Sequence, residues 1–264
     1  MSDVLAATLL GIIEGLTEFL PISSTGHLLI AQHWLPRRSD FFNIVVQAGA
    51  ILAITLVFRQ RLWSMVTGFN EPANRDYAIK VIVAFMVTAL VGLPVRMLGW
   101  ELPETVTPIA WALIIGGVWM MFAEHYAEKR GDDNTIVTWK VVVLVGLAQV
   151  VAGVFPGTSR SAAAIFMAML AGLSNRSAAA EFVFLVGIPT MFAASAFAFL
   201  ELFMDGSLAN EQWSGVIAGF VAATITGFIV VRWLLSFIKK HRYTGFAIYR
   251  IVLGIGLLAF LSGS

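Results

Sequence analysis

The chain has 264 residues, 59% of them hydrophobic and 12% charged, with a formal net charge of +1, no cysteine and a mean hydropathy of +0.85. No polar stretch is long enough to build a large soluble core, and no basic stripe exists to hold nucleic acid. Without cysteine there are no disulfides, thiolate nucleophiles or thiolate-bound metals.

The first residues, MSDVLAATLLGIIEG, carry no basic segment ahead of the apolar run and no convincing small-residue cleavage site, so no signal peptide is expected. Residues 11–30, GIIEGLTEFLPISSTGHLLI, are apolar but broken at Pro21, which removes a helix hydrogen bond and crowds the preceding turn. Non-helical backbone at membrane depth is tolerated only where protein buries it or water reaches it. A helix–break–helix hairpin that enters and leaves on one side meets that condition. Apolar runs follow at about 41–58, 78–97 and 105–124, each long enough to cross a bilayer as a helix.

Residues 146–165, GLAQVVAGVFPGTSRSAAAI, repeat the broken segment in worn form at an offset of 135 residues. Gly11/Gly146, Pro21/Pro156, Ser24/Ser159 and Ile30/Ile165 are identical. Further apolar runs lie at about 180–203, 214–237 and 246–261. The expected fold is an all-α polytopic membrane protein, with about six transmembrane helices and two re-entrant helix hairpins. Three spans separate the hairpins, an odd number, so the two point in opposite directions. Residues 1–264 then form one integral membrane domain, an inverted-topology repeat with halves at about 1–130 and 136–264.

Loop charge is lopsided on this threading. Arg59, Arg61, Arg75, Lys80, Lys129, Arg130, Lys140, Arg176, Lys239, Lys240 and Arg242 fall on one side. Arg37, Arg38 and Arg96 fall on the other, with Glu101, Glu104, Asp205 and Glu211. The positive-inside rule makes the first side cytoplasmic and turns the mouth of the first hairpin outward. Arg37 and Arg38 read as orientation signals and lipid-surface contacts rather than catalytic groups.

The broken segments hold the chemistry. Glu14 and Glu18 are four residues apart and share a helix face. In a low-dielectric setting such a pair shares a proton, finds a cation or binds a divalent metal, with Mg²⁺ or Ca²⁺ suited to the oxygen ligands. The break supplies Ser23, Ser24, Thr25 and His27. Ser23 and Thr25 either cap the following helix or bind phosphate oxygens at its N-terminus. His27 is a general acid or base, or a nucleophile that takes a phosphoryl group. In the second copy Arg160 sits among apolar and small residues, where a guanidinium costs on the order of 2.5–3.5 kcal/mol. Its fork of donors suits two phosphate oxygens, with hydroxyls from Thr158, Ser159 and Ser161; the alternative is a structural partner for a buried carboxylate such as Glu181. Two carboxylates with a metal, an imidazole and a guanidinium at one cavity describe phosphoryl transfer.

Two stretches carry a resemblance: Glu14-Gly15-Leu16-Thr17-Glu18-Phe19-Leu20-Pro21, running into Ile22-Ser23-Ser24-Thr25-Gly26-His27, and Pro156-Gly157-Thr158-Ser159-Arg160-Ser161. They resemble the signatures of the undecaprenyl-diphosphate phosphatase family, also known as the bacitracin-resistance proteins, and the likeness runs essentially the whole length. The resemblance implies a multi-pass enzyme of the bacterial inner membrane, and the loop charge turns its site toward the periplasm. Such an enzyme removes the terminal phosphate of undecaprenyl diphosphate and recycles the lipid carrier for envelope polymers. It also implies a divalent-cation requirement. Glu14 and Glu18 match the family's acidic pair, His27 and Ser24 its residues discussed as base or nucleophile, and Arg160 its diphosphate-binding arginine. Where the family often continues Gly-Ala-Thr, this chain has Ala162-Ala163-Ala164, so no hydroxyl acts at position 164.

The attacking group is thus Ser24 assisted by His27, His27 itself, or a water that His27 activates, and the first is preferred. The rival reading is a transporter or flippase of polyprenyl phosphate or a coupled anion, a class in which inverted repeats and broken helices are common. Membrane lipid is an expected partner. A homodimer is compatible with the Trp, Phe, Met120 and Met121 content, which suits lipid and subunit contacts equally.

Overall fold

A computed structural model of the protein describes residues 2–98, 105–131, 133–204 and 212–260, the side chains of Arg96 and Arg130 apart. Glu101, Glu104, Asp205 and Glu211, expected on the less basic side, lie outside the described residues. The described chain is helical throughout, in the order α1 (Asp3–Thr17), α2 (Ser24–Trp34), α3 (Asp40–Val57), α4 (Arg59–Thr67), α5 (Pro72–Met97), α6 (Val106–Arg130), α7 (Trp139–Val154), α8 (Arg160–Ala171), α9 (Arg176–Met204), α10 (Trp213–Phe237) and α11 (Thr244–Phe260).

Polar caps punctuate the apolar sequence. The side chains of Ser2, Ser39 and Thr138 accept from the backbone of Leu5, Phe42 and Val141, opening α1, α3 and α7. Helix α6 closes on Gly131, which takes a left-handed φ of 66°. Helices α3, α5, α6, α9 and α10 are long and apolar enough to cross a bilayer. The sixth expected span is α11, whose 17 described residues put it at the short end of that range. Ile217, Val221, Ile225 and Ile229 form an exposed stripe along α10, as Trp111, Ile115, Val118 and Phe122 do on α6. Apolar faces of this extent belong in lipid rather than water. Met120, expected at a lipid or subunit contact, is 1% exposed; its helix turns it into the core while Met121 faces outward.

The two ends of the bundle differ in charge, as the loops predict. At one end Arg61 pairs with Glu181 at 3.1 Å and lies over the Tyr77 ring at 4.4 Å. There Arg176 reaches Glu124 at 2.6 Å, and Glu128 is shared between Arg176 and Arg242 at 3.3 and 2.7 Å. These contacts gather α4, the starts of α5 and α9, the end of α6 and the α10–α11 link. The hairpin α7–α8 opens at this end: the Asn134 amide donates to Ser174 Oγ at 2.9 Å and its Nδ2 to the Gly172 carbonyl at 2.8 Å. The hairpin α1–α2 opens at the other. Arg38 donates there to Asp3 Oδ1 at 2.7 Å and to the Asp3 carbonyl at 2.8 Å.

Helix α1 packs on α10, and α7 packs on α5. The repeated glycines make these contacts: a Cβ at Gly11 would collide with the Gly219 carbonyl, and one at Gly146 with the Ala84 carbonyl at 2.8 Å. Each hairpin therefore leans on a span of the opposite half, and the two breaks meet inside the bundle. Ser161 Oγ of the second break donates to the Leu20 carbonyl of the first at 3.1 Å.

Candidate active site

Both breaks end in the same device. Ser23 and Ser159 cap α2 and α8, accepting from the amides of Gly26 and Ala162. They are the two non-glycine residues with positive φ among the described ones, at 74° and 66°. That region disfavours side chains with a Cβ, so the helix caps and the surrounding fold hold them there. The structural register differs by one residue from the sequence repeat. One residue separates Pro21 from its cap, whereas Gly157 and Thr158 separate Pro156 from Ser159. Ser23 therefore corresponds to Ser159, and Ser24 to Arg160, as the first residues of their helices. A hydroxyl and a guanidinium thus stand at two helix N-termini, whose free N–H groups and positive dipole ends favour an anion.

The first break pairs Ser24 with Glu18. Ser24 Oγ donates to Glu18 Oε2 at 2.5 Å, a short charge-assisted bond. Glu18 holds the helical spacing from Glu14, since its amide donates to the Glu14 carbonyl at 2.9 Å. Glu14 is buried, and its Oε2 has no hydrogen-bond partner. The Arg160 guanidinium makes no hydrogen bond or ion pair with any described residue, although its charge acts on Glu14. Glu18, Arg160 and Ser161 line a small cavity of about 20 Å³. Glu14, Ser24 and Thr25 line a larger one of about 460 Å³. The Ser24–Glu18 hydrogen bond bridges the wall between them.

Several expectations are revised. His27 does not meet Ser24. Its Nδ1 lies 2.7 Å from the Ser23 carbonyl and its Nε2 2.7 Å from the Tyr249 hydroxyl, with the two rings stacked at 5.6 Å. With Nδ1–H donating to the carbonyl, Nε2 accepts from the phenol, and both nitrogens are committed to holding the break against α11. Glu181 pairs with Arg61 and not with Arg160, because it lies at the basic end of α9. Ser23 and Ser159 are caps, while Thr25 faces the larger cavity. Thr158 offers its carbonyl to Arg250 at 3.0 Å. Ala164 is fully buried along α8, so position 164 faces the core rather than either cavity. Arg37 and Arg38 line the larger cavity.

Arg250 is the residue that sequence reasoning missed. It is 0% exposed, and its guanidinium donates to five backbone carbonyls: Pro21 and Thr158 at 3.3 and 3.0 Å, Ala112 and Gly157 at 3.0 Å each, and Leu113 at 3.4 Å. It ties both breaks to α6. The signal was present, since Arg250 interrupts the apolar run GFAIYRIVLGIG just as Arg160 interrupts its own.

Because both His27 nitrogens are engaged away from Ser24, loss of its Tyr249 partner should have a small effect. Tyr249→Phe is expected to lower turnover by no more than about tenfold, the worth of one hydrogen bond. Glu18→Gln should cost about 10²–10⁴-fold. A Tyr249→Phe loss as large as that of Glu18→Gln, measured on one substrate, would put His27 in the reacting group instead.

A family profile described as "Bacitracin resistance protein BacA" matches residues 7–256. Proteins named undecaprenyl-diphosphatase match end to end. That of Xanthomonas campestris pv. campestris (strain 8004) is 68% identical over 261 residues, 99% of each chain. That of Xanthomonas axonopodis pv. citri (strain 306) is 69% identical over 99% of this chain and 98% of its own. The protein of Stenotrophomonas maltophilia (strain K279a) is 70% identical across 100% of both.

Proposed function

Because the chain belongs to the bacitracin resistance protein BacA family, we propose that it is an undecaprenyl-diphosphatase, hydrolysing undecaprenyl diphosphate to undecaprenyl phosphate and inorganic phosphate. One observation in the site supports this reading above the others: Arg160, whose guanidinium has no hydrogen-bond or ion-pair partner among the described residues, shares a cavity with the carboxylate that accepts from Ser24. Arginine in this state is a receptor for phosphate oxygens.

The geometry suits a two-step transfer. Glu18 takes the proton of Ser24 Oγ as the oxygen attacks the terminal phosphorus. The bond from that phosphorus to the bridging oxygen breaks, and undecaprenyl phosphate leaves with the electron pair and the proton from Glu18. Water then attacks phosphoserine, giving its proton to Glu18, which passes it to the departing Ser24 oxygen. Arg160 and the two helix N-termini face the charge that spreads over the transferred phosphoryl oxygens. His27 is a positioning residue in this scheme.

Glu14 and Glu18 would hold a divalent cation, Mg²⁺ or Ca²⁺. The buried, unpartnered Glu14 Oε2 fits this role. No group of three or more Asp, Glu or His side chains converges among the described residues, so phosphate oxygens and water would fill the remaining positions, as Mg²⁺ tolerates. When bound, the ion neutralises phosphate charge. The larger cavity sits toward the end remote from the basic cluster, so the positive-inside rule puts the reaction at the periplasmic face of the inner membrane.

Purified protein in detergent should release inorganic phosphate from a long-chain prenyl diphosphate, and EDTA should abolish the release. Ser24→Ala should neither turn over nor trap a phosphoenzyme. A phosphoryl group trapped on His27 would overturn the Ser24 assignment. Absence of phosphate release with every divalent ion tried would favour transport of the lipid over its hydrolysis.

A further inference from the structure

Gln149 stands on α7 where the repeat puts Glu14 on α1. Each lies three residues past the glycine, Gly146 or Gly11, that seats its helix on a neighbouring span. The two side chains are 3% and 4% exposed. Each lines one of the two cavities, Glu14 the larger and Gln149 the smaller. Neither Oε1 nor Nε2 of Gln149 has a hydrogen-bond partner. A buried, unmade hydrogen bond costs about 1–3 kcal/mol, and a leucine here would remove that cost. Instead a full carboxamide is aimed into a space of about 20 Å³ beside Glu18, Arg160 and Ser161. That volume admits one water or one phosphate oxygen.

The two cavities differ in character. The larger is rimmed by Arg37, Gln32, Asn43 and Gln47 and suits a hydrated anion that leaves for water. The rest of the smaller is Phe19, Ile54, Val183, Phe184, Gly187 and Met191, apolar residues of the first break, α3 and α9 that mark the side from which a prenyl chain approaches. Given the hydrolysis proposed above, on which this step rests, the diphosphate lies across the Ser24–Glu18 bond, with the Arg160 fork reaching both phosphates and the lipid-linked one toward Gln149.

We infer that Gln149 is a substrate-binding residue whose carboxamide Nε2 donates to a non-bridging oxygen of the phosphate retained on the prenyl chain. It is the uncharged counterpart of Glu14 across the pseudo-twofold axis. Beside Glu18, a neutral amide can donate to the phosphate without adding a second negative charge to the cavity.

The test uses full-length protein in detergent with a long-chain prenyl diphosphate. It compares wild type with Gln149→Leu, Gln149→Glu and, should the leucine variant not fold, Gln149→Met, which keeps the length without the donor. KM, kcat, melting temperature and inhibition by prenyl monophosphate and by inorganic phosphate are measured. Loss of the amide should raise KM and the Ki of prenyl monophosphate about 10-fold or more, the usual worth of a hydrogen bond to a charged group. The Ki of inorganic phosphate should stay within about twofold and the melting temperature should hold or rise. Gln149→Glu should be more damaging than either apolar change. Wild-type KM and Ki values in the leucine or methionine protein would overturn the assignment, leaving the amide as the host of an ordered water. A rise confined to the Ki of inorganic phosphate would overturn it too, by moving Gln149 to the departing group. If wild-type protein releases no phosphate, the hydrolase reading fails and the assignment falls with it.

Discussion

Arg160→Ala protein is expected to hydrolyse prenyl diphosphate with kcat/KM at least about 10³-fold below wild type, without loss of folded protein. The two halves of that expectation have separate causes. Activity falls because no other guanidinium or ammonium lines the small cavity that Glu18 shares. The fold survives because Arg160 makes no hydrogen bond or ion pair with any described residue, so its removal breaks no polar contact and withdraws only its longer-range attraction for Glu14. The start of α8 keeps its Ser159 cap in either case. Arg160→Lys tests geometry against charge: a point charge without the planar fork should recover only part of the loss. Phosphate release and thermal melting on the same preparations decide it. Near-wild-type kcat/KM in the alanine protein would remove Arg160 from the reaction.

Arg250 should behave in the opposite way. Arg250→Leu is expected to destabilise the protein by about 3 kcal/mol, on roughly 0.6 kcal/mol for each hydrogen bond within a membrane protein. The guanidinium is the donor for carbonyls of Pro21, Gly157 and Thr158, in stretches where the chain has left the helix and forfeited its own donors. No apolar side chain replaces those bonds, and buried carbonyls left without a donor are costly. Both breaks would then loosen from α6 and from each other, and the Ser161–Leu20 contact that aligns the sites of the two halves would weaken. Arg250→Lys keeps a charge but cannot reach five carbonyls spread over three segments, so it should fall between leucine and wild type. Melting in detergent, read beside activity at a temperature where the variant is folded, separates the two roles. A leucine variant that melts with wild type would refute the fastening role.

These two arginines show how differently the sequence and the structure inform. As isolated charges in apolar runs they are equivalent, yet Arg160 meets no hydrogen-bond or ion-pair partner among the described residues and Arg250 is saturated by the backbone. Hydropathy, loop charge and the paired prolines were sufficient for the membrane setting, the helical fold and the two broken hairpins of opposite direction. Those properties are legible because lipid forces every span to satisfy its backbone within itself, leaving length, apolarity and breaks written locally along the chain. The candidate residues Glu14, Glu18, Ser24 and Arg160 stood out for the same reason, since charge and hydroxyl clusters are costly at that depth.

Partnership was not legible. Which side chain meets which depends on rotation about each helix axis, where one residue turns a side chain by about 100°. One additional residue between Pro156 and its cap puts Arg160, not Ser159, opposite Ser24, and no count of identities reveals it. Likewise, the Ser24 hydroxyl donates to Glu18 while α11 brings Tyr249 to the His27 imidazole from 222 residues away. The inventory of the site was determined locally by the sequence, while its pairings were decided by the tertiary packing of two hairpins against spans of the opposite half.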